Sequence, residues 1–298
     1  MPYTRAQLTS IMRTRGQAHV PADRLPYAGR VAEMWTRKKL YRWEDKAALA
    51  QHGLLKSAYQ DIQADAFNRA SFYDLDTLSN DGYSTAWRRE VLQTTTDRLN
   101  MLAVDTARLA LDYREQAYRV GYYARLWLLD SITPQDKQVR GGRAQAPAVN
   151  ADDWLERYQT PVDKTLIKTR AGLSTALAQE MTVRQAVNTA IAEPLGVGSK
   201  PGKKTGGLYH LQQVTTRETV MQASNEGAAL AYQQNSEWLT AVMYLTTRDH
   251  LVCPTCRRMD GFIWPIDGFV TAIIGLLGLP PLHYGCRCTV IPLSLIHI

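Results

Sequence analysis

Between residues 84 and 120 the chain contains neither glycine nor proline. An uninterrupted stretch of that length restricts the fold more than any other feature. Leu92, Leu99, Leu102, Leu109, Tyr113, Ala117, Val120, Ala124 and Trp127 recur at spacings of three, four and seven. Apolar residues at those intervals line one face of an α-helix, because a turn takes about 3.6 residues. A helix so long belongs to a bundle or an elongated hairpin, where neighbours cover its stripe. Tyr118, Tyr122, Tyr123 and Trp127 crowd its end and are assigned to core packing.

The flanking segments read in the same way. Gly16, Pro21 and Pro26 make residues 1 to about 30 an irregular arm. Residues 31–70 are mostly good helix formers, with an interruption expected at His52-Gly53. Ser79, Asn80, Asp81 and Gly82 mark a turn within 74–83, and Pro134, Gly141, Gly142 and Pro147 mark a loop or linker over 131–150. A second helical region is predicted over 152–192, capped by Asp152 or Asp153, broken or kinked at Pro161, and stopped at Pro194 and Gly196. Residues 195–207 form a basic, glycine-rich loop with Lys200, Lys203 and Lys204; its glycine spacing is wrong for a phosphate-binding loop. A helix follows over 209–234, then a strand over 241–245.

Composition narrows the class. The chain of 298 residues is 45% hydrophobic, enough for a sizeable core. Its longest apolar run, 269–279, is interrupted by Gly275 and Gly278 and falls far short of the roughly 20 residues of a membrane helix. The first thirty residues hold five arginines and no apolar h-region, so production in a cytoplasm is expected and stable disulfides are disfavoured. The net charge of +7 permits contact with nucleic acid, but its scatter makes a solvated surface the default.

All four cysteines lie between residues 253 and 288. Cys253 and Cys256 form a C-x2-C pair, whose thiolates can turn around one metal ion. His283 and Cys286 repeat the same spacing, with Gly285 allowing a tight bend. Cys288 is a fifth candidate. Soft sulfur and nitrogen donors of this kind suit tetrahedral Zn2+, and four protein ligands make the site structural. On an extended strand Cys286 and Cys288 would lie too far apart for one ion, which favours His283 as the fourth ligand. A bend at Arg287 would reverse that choice.

The strings VCPTCRRMDGFIWP and PPLHYGCRC resemble the C-terminal signature of the phage Mu protein F-like minor head proteins, also called head morphogenesis proteins. The elements that match are Asp249, Cys253, Cys256, the Asp260-Gly261 turn, Pro281, His283, Cys286, Arg287 and Cys288. Upstream, Thr216-Arg217-Glu218-Thr219 followed by Ala223, Asn225 and Gly227 resembles the family's helix, although Arg217 and Glu218 adjoin here where the family separates them. The resemblance implies a virion component that acts in head assembly near the portal and the packaged DNA. It implies portal and capsid proteins as partners, and residence in the virion after assembly in the host cytoplasm.

The expected architecture is mainly α: an elongated helical body with a small C-terminal zinc-binding α+β module. Its divisions are an N-terminal helical region (1–130), a linker (131–150), a second helical region (151–240) and the Mu F-like module (241–292). Residues 293–298, LSLIHI, resemble the translated read-through of a sequencing-library adapter and are set apart as a non-native tail. No hydrolase or metalloprotease motif is present, so neither enzymatic activity nor a small-molecule substrate is expected. The alternative to a head protein is a zinc-dependent nucleic-acid-binding module in which Arg257, Arg258 and Arg287 contact phosphates.

Overall fold

The structure is a computed structural model and describes residues 18–19, 27–132, 138–197, 207–237, 239, 241–246, 252–265, 280, 283 and 286–293. The basic loop at 200–204, the apolar run 269–279, Asp249, Pro281 and residues 294–298 lie outside these. In chain order the elements are β1 (Ala18–His19), α1 (Tyr27–Phe72), α2 (Gly82–Ile132), α3 (Ala151–Ala178), α4 (Val183–Val187), a π-helical turn (Asn188–Ala192), α5 (Glu193–Leu195), α6 (Gly207–Gln234), β2 (Ala241–Leu245), α7 (Pro254–Met259), β3 (Phe262–Pro265) and β4 (Thr289–Leu293). The protein is mainly helical with a small α+β part at its C-terminal end, as the sequence pattern predicts. Two compact units interleave along the chain: one joins Lys46–Leu111 to Ala148–Thr216, the other joins Met1–Asp45, Asp112–Pro147 and Arg217–Ile298.

Two expected helix breaks do not occur. Helix α1 runs through His52-Gly53. Glycine in a helix interior costs only about 1 kcal/mol against alanine. The burial of Leu55, Ile62 and Ala66 on the same helix outweighs that. Helix α3 runs through Pro161, whose ring is buried beside Val162 and Thr165. Its N-cap is Asn150 rather than Asp152 or Asp153. The Asn150 side chain accepts hydrogen bonds from the backbone N–H of both aspartates, which then sit in the first turn where the helix dipole favours negative charge. The helix ends at Ala178, and the chain restarts with a capping box between Thr182 and Gln185. Gly196 ends the helical run as predicted, closing α5 in the left-handed conformation, φ 74°, whereas Pro194 lies inside α5 rather than stopping it.

Helix α2 extends to Ile132, and its buried face drifts from the predicted stripe. Leu99, Leu102 and Ala117 are buried, but Trp127 is 53% exposed while Leu128 and Leu129 are buried. Leu92, Leu99, Tyr113, Val120 and Trp127 lie on a strict seven-residue repeat. On a straight helix such a repeat slips by about 20° per heptad, so its far end leaves the buried side. Of the terminal aromatics, Tyr118 and Tyr122 join the core and Tyr123 and Trp127 do not.

In the unit built from Lys46–Leu111 and Ala148–Thr216, two indoles anchor the helices. Trp87 Nε1 donates to the Ala66 carbonyl and Trp154 Nε1 to the Ala107 carbonyl, each at 2.8 Å. The connections meet where Leu78 N–H donates to Met181 and Val183 N–H to Asp76.

In the other unit, α2 and α6 touch backbone to backbone. A Cβ on Gly121 would stand 1.9 Å from the Ser224 carbonyl oxygen, and one on Gly227 would stand 2.1 Å from that of Tyr118. Residues 138–147 form no helix or strand but are strapped down by side chains. Asn235 bonds both backbone groups of Arg140, and Tyr122 Oη accepts from Gly142 N–H at 2.7 Å. The antiparallel sheet has the order β1-β3-β2-β4. In β2, Val242 and Tyr244 join the helical core, while Ala241, Met243 and Leu245 pack with Ile263, Ile291 and Leu293 on the opposite face. Leu293 is thus the last residue of β4, paired with Ala241.

These contacts predict opposite outcomes for two glycines. Gly227→Ala forces backbone apart and is expected to destabilise by on the order of 3 kcal/mol. Gly53 is exposed with nothing within 4 Å of an added Cβ, so Gly53→Ala is expected to stabilise by about 0.5–1 kcal/mol. Urea unfolding followed by helical circular dichroism checks both.

Candidate metal centre

The centre is assembled from β2, the short helix α7 and the irregular residues that precede β4. Cys253 caps α7: its Sγ accepts from Cys256 N–H at 3.3 Å, and Pro254 follows at the first helical position, where a missing N–H costs nothing. One helical turn therefore carries both cysteines of the first pair. The turn after α7 is fixed by Asp260-Gly261. The Asp260 carboxylate accepts from Thr246 N–H at 2.9 Å, Gly261 adopts φ 80°, and its N–H donates to the Tyr244 carbonyl. These bonds tie α7 to the end of β2 and give the Asp-Gly pair its structural role.

All five sequence-predicted ligands come together. Cys253, Cys256 and His283 form one triad and Cys256, Cys286 and Cys288 another, with the donor atoms of each triad within 4.8 Å of one another. His283 Nε2 lies 3.0 Å from Cys253 Sγ and 2.9 Å from Cys256 Sγ, and Cys256 Sγ lies 3.7 Å from Cys286 Sγ. None of the cysteines is in a disulfide. On an extended strand Cys286 and Cys288 would lie too far apart to share an ion. That geometry does not hold, because residues 286–288 precede β4 and are not extended strand. Cys256, Cys286 and Cys288 are buried, whereas Cys253 and His283 are half-buried.

Three residues at the site escape the sequence pattern. Tyr244 is buried in β2 with its hydroxyl 3.9 Å from Cys256 Sγ and 3.8 Å from Cys286 Sγ. Burial, then the surrounding thiols, hold its phenol well above the ordinary range. Hydrogen bonding to Cys286 and Cys288, together with burial, also pushes the Cys256 thiol up. Without a cation Tyr244 and Cys256 keep their protons; a bound cation inverts that balance for a thiol that ligates it. Asn225 on α6 holds the carbonyl of Cys288 at 3.0 Å. Glu44 on α1 pairs through Oε2 with Arg217 Nε at 3.0 Å, while its Oε1 has no hydrogen-bond partner among the described residues. Tyr244 was legible only as a residue of the predicted strand and Asn225 only through the resemblance to the family's helix, neither with a role at the centre; Glu44 left no trace in the sequence.

Burial lifts the Glu44 carboxyl to about 7, against the pull of Arg217 and, more weakly, of Arg287. Arg287 is therefore set beside a carboxylate rather than presented alone, while Arg257 and Arg258 are exposed on the last turn of α7. The five candidate ligands can hold a metal ion.

A sulfur- and imidazole-rich cluster closed by a short capped helix and a small antiparallel sheet gives this mainly helical protein a candidate metal-binding end. Residues 173–291 match the family model described as Phage Mu protein F like protein. The match takes in α6 and all five candidate ligands. No curated protein and no solved structure matches the chain. Among the described residues, no helix is long and apolar enough to cross a membrane.

Glu44 makes a pH prediction. Its folded pKa is raised from 4.5 to about 7, so its contribution to stability is fully present below pH 4.5 and is lost as pH rises through 7. Relative to Glu44→Gln, the wild-type chain is expected to lose up to about 3 kcal/mol of stability between acid and pH 8. Parallel denaturation of the two proteins cancels the titration of the thiols and isolates this term.

Proposed function

We propose that the chain is a minor head component acting in phage head assembly at the portal, with its C-terminal end stapled by one structural zinc ion. The family match over 173–291 carries this reading, because it joins the five candidate ligands and the helix beneath them in one domain. The functional module is residues 241–292, borne by the helical regions that precede it. Cys253, Cys256 and Cys286 supply thiolates, and His283 or Cys288 completes the tetrahedron. Cys256 belongs to both triads, so the ion sits against it and takes four of the five donors. Soft donors select zinc over harder cations. The ion links the start of α7 to a segment about thirty residues on. The assembled surface docks on portal or capsid protein inside the virion; contact with DNA is secondary.

The chain purified under reducing conditions is expected to hold about one zinc ion, released by chelation together with local unfolding of the module. Cys253→Ser should lose it, and of His283→Ala and Cys288→Ser only the substitution of the true ligand should. The cognate portal protein should capture the wild-type chain, and Cys256→Ser should fail to assemble into heads. A zinc-free chain would sink the staple. Duplex DNA binding that collapses between about 50 and 200 mM salt, with no portal capture, would instead support phosphate contact through Arg257 and Arg258.

A further inference from the structure

Three of the five candidate ligands, His283, Cys286 and Cys288, lie between Pro280 and Thr289, and one side chain holds both ends of that stretch. Asn225 is buried on α6. Its Nδ2 lies 2.9 Å from the Pro280 carbonyl oxygen, 3.0 Å from that of Cys288 and 3.0 Å from that of Met221, one turn back on its own helix. Its Oδ1 accepts from the Thr289 hydroxyl at 2.7 Å. That hydroxyl accepts in turn from Nη2 of the buried Arg125 at 2.9 Å. Three carbonyls accept and cannot donate, so the amide has one orientation, with nitrogen towards the ligand stretch and oxygen towards Thr289. Pro280 lies before the first of these ligands and Cys288 is itself the last, so the amide brackets the segment from a rigid helix.

We propose that Asn225 is the positioning residue of the metal centre: it sets the ends of the 280–289 segment before metal arrives, so that His283, Cys286 and Cys288 meet Cys253 and Cys256 in register. The proposal rests on the metal reading above. Partners beyond the ligands orient them, and their loss weakens metal binding while leaving the ligand set intact. Without Asn225 the buried carbonyls of Pro280 and Cys288 lose their donor, and metal binding has to order the segment itself.

The test compares wild type with Asn225→Ala, Asn225→Asp and Thr289→Val. Asn225→Asp keeps the shape but removes both N–H donors. Zinc affinity is read by competition with a chromogenic chelator, the ligand set by the absorption of the Co2+-loaded protein, and folding by far-ultraviolet circular dichroism. Both Asn225 variants are expected to bind zinc about 10- to 100-fold more weakly with Co2+ bands at wild-type positions, and Thr289→Val to show a smaller loss. Wild-type affinity in both Asn225 variants overturns the proposal, as does a changed Co2+ ligand-field spectrum. If the Asn225 variants lose their helical signal, Thr289→Val decides: weakened affinity with intact helices supports the role, and unchanged affinity overturns it. A wild-type chain that takes up neither Zn2+ nor Co2+ fails at the metal reading itself, before any variant is compared.

Discussion

The contact between α2 and α6 at Gly121 and Gly227 governs the unit that carries the candidate metal centre. Each glycine faces a backbone carbonyl where a Cβ would stand only 1.9 or 2.1 Å away, so no side chain other than hydrogen is tolerated without pushing the helices apart. The close approach has a consequence at a distance. It lets Arg125 on one helix and Asn225 on the other reach the same Thr289 at the start of β4. It also seats Tyr232 on the far end of α6, where its hydroxyl donates to the Val290 carbonyl at 3.0 Å. The small sheet is thus hung from the helix pair by buried hydrogen bonds as well as by apolar packing.

Those buried polar groups are energetically demanding. Arg125 is 1% exposed, and its Nε and Nη1 have no hydrogen-bond partner among the described residues. Glu44 is 8% exposed with one oxygen unpartnered among the described residues. An apolar core of the same volume would be at least as stable. What directional bonds add is a single arrangement: each donor meets its acceptor in one register, and a slipped register leaves buried groups unpaired. A module whose sulfur atoms must converge within a few ångströms gains from that uniqueness.

The helical character was legible because breakers and apolar spacing are local signals. Where tertiary burial competes, local signals mislead. Gly53 and Pro161 carry intrinsic penalties of about 1 and 3 kcal/mol, yet both are carried inside long helices whose other residues are buried. Trp127 illustrates a different error: a seven-residue repeat looks like one face on paper but rotates about a straight helix. At the centre, Cys253, Cys256, His283, Cys286 and Cys288 were visible as spacing. The supporting contacts were not: Asn225 stood out only through the resemblance to the family's helix, Tyr244 only as a strand residue, and Glu44 lies more than two hundred residues from the ligands.

By itself the sequence determined the long helices, the C-terminal strand and the set of five soft donors, because helix periodicity and C-x2-C spacing are properties of adjacent residues. Tertiary structure alone decided which donors meet. It brought Cys286 and Cys288 to Cys256 by leaving residues 286–288 out of the strand, and it placed Cys256 in both triads. It also decided that Asn225, Thr289 and Arg125 hold the closing segment. A hydrogen bond such as that between Arg125 and Thr289, 164 positions apart, exists only once two helices have packed at van der Waals distance, and no local pattern encodes that approach beyond the two glycines that permit it.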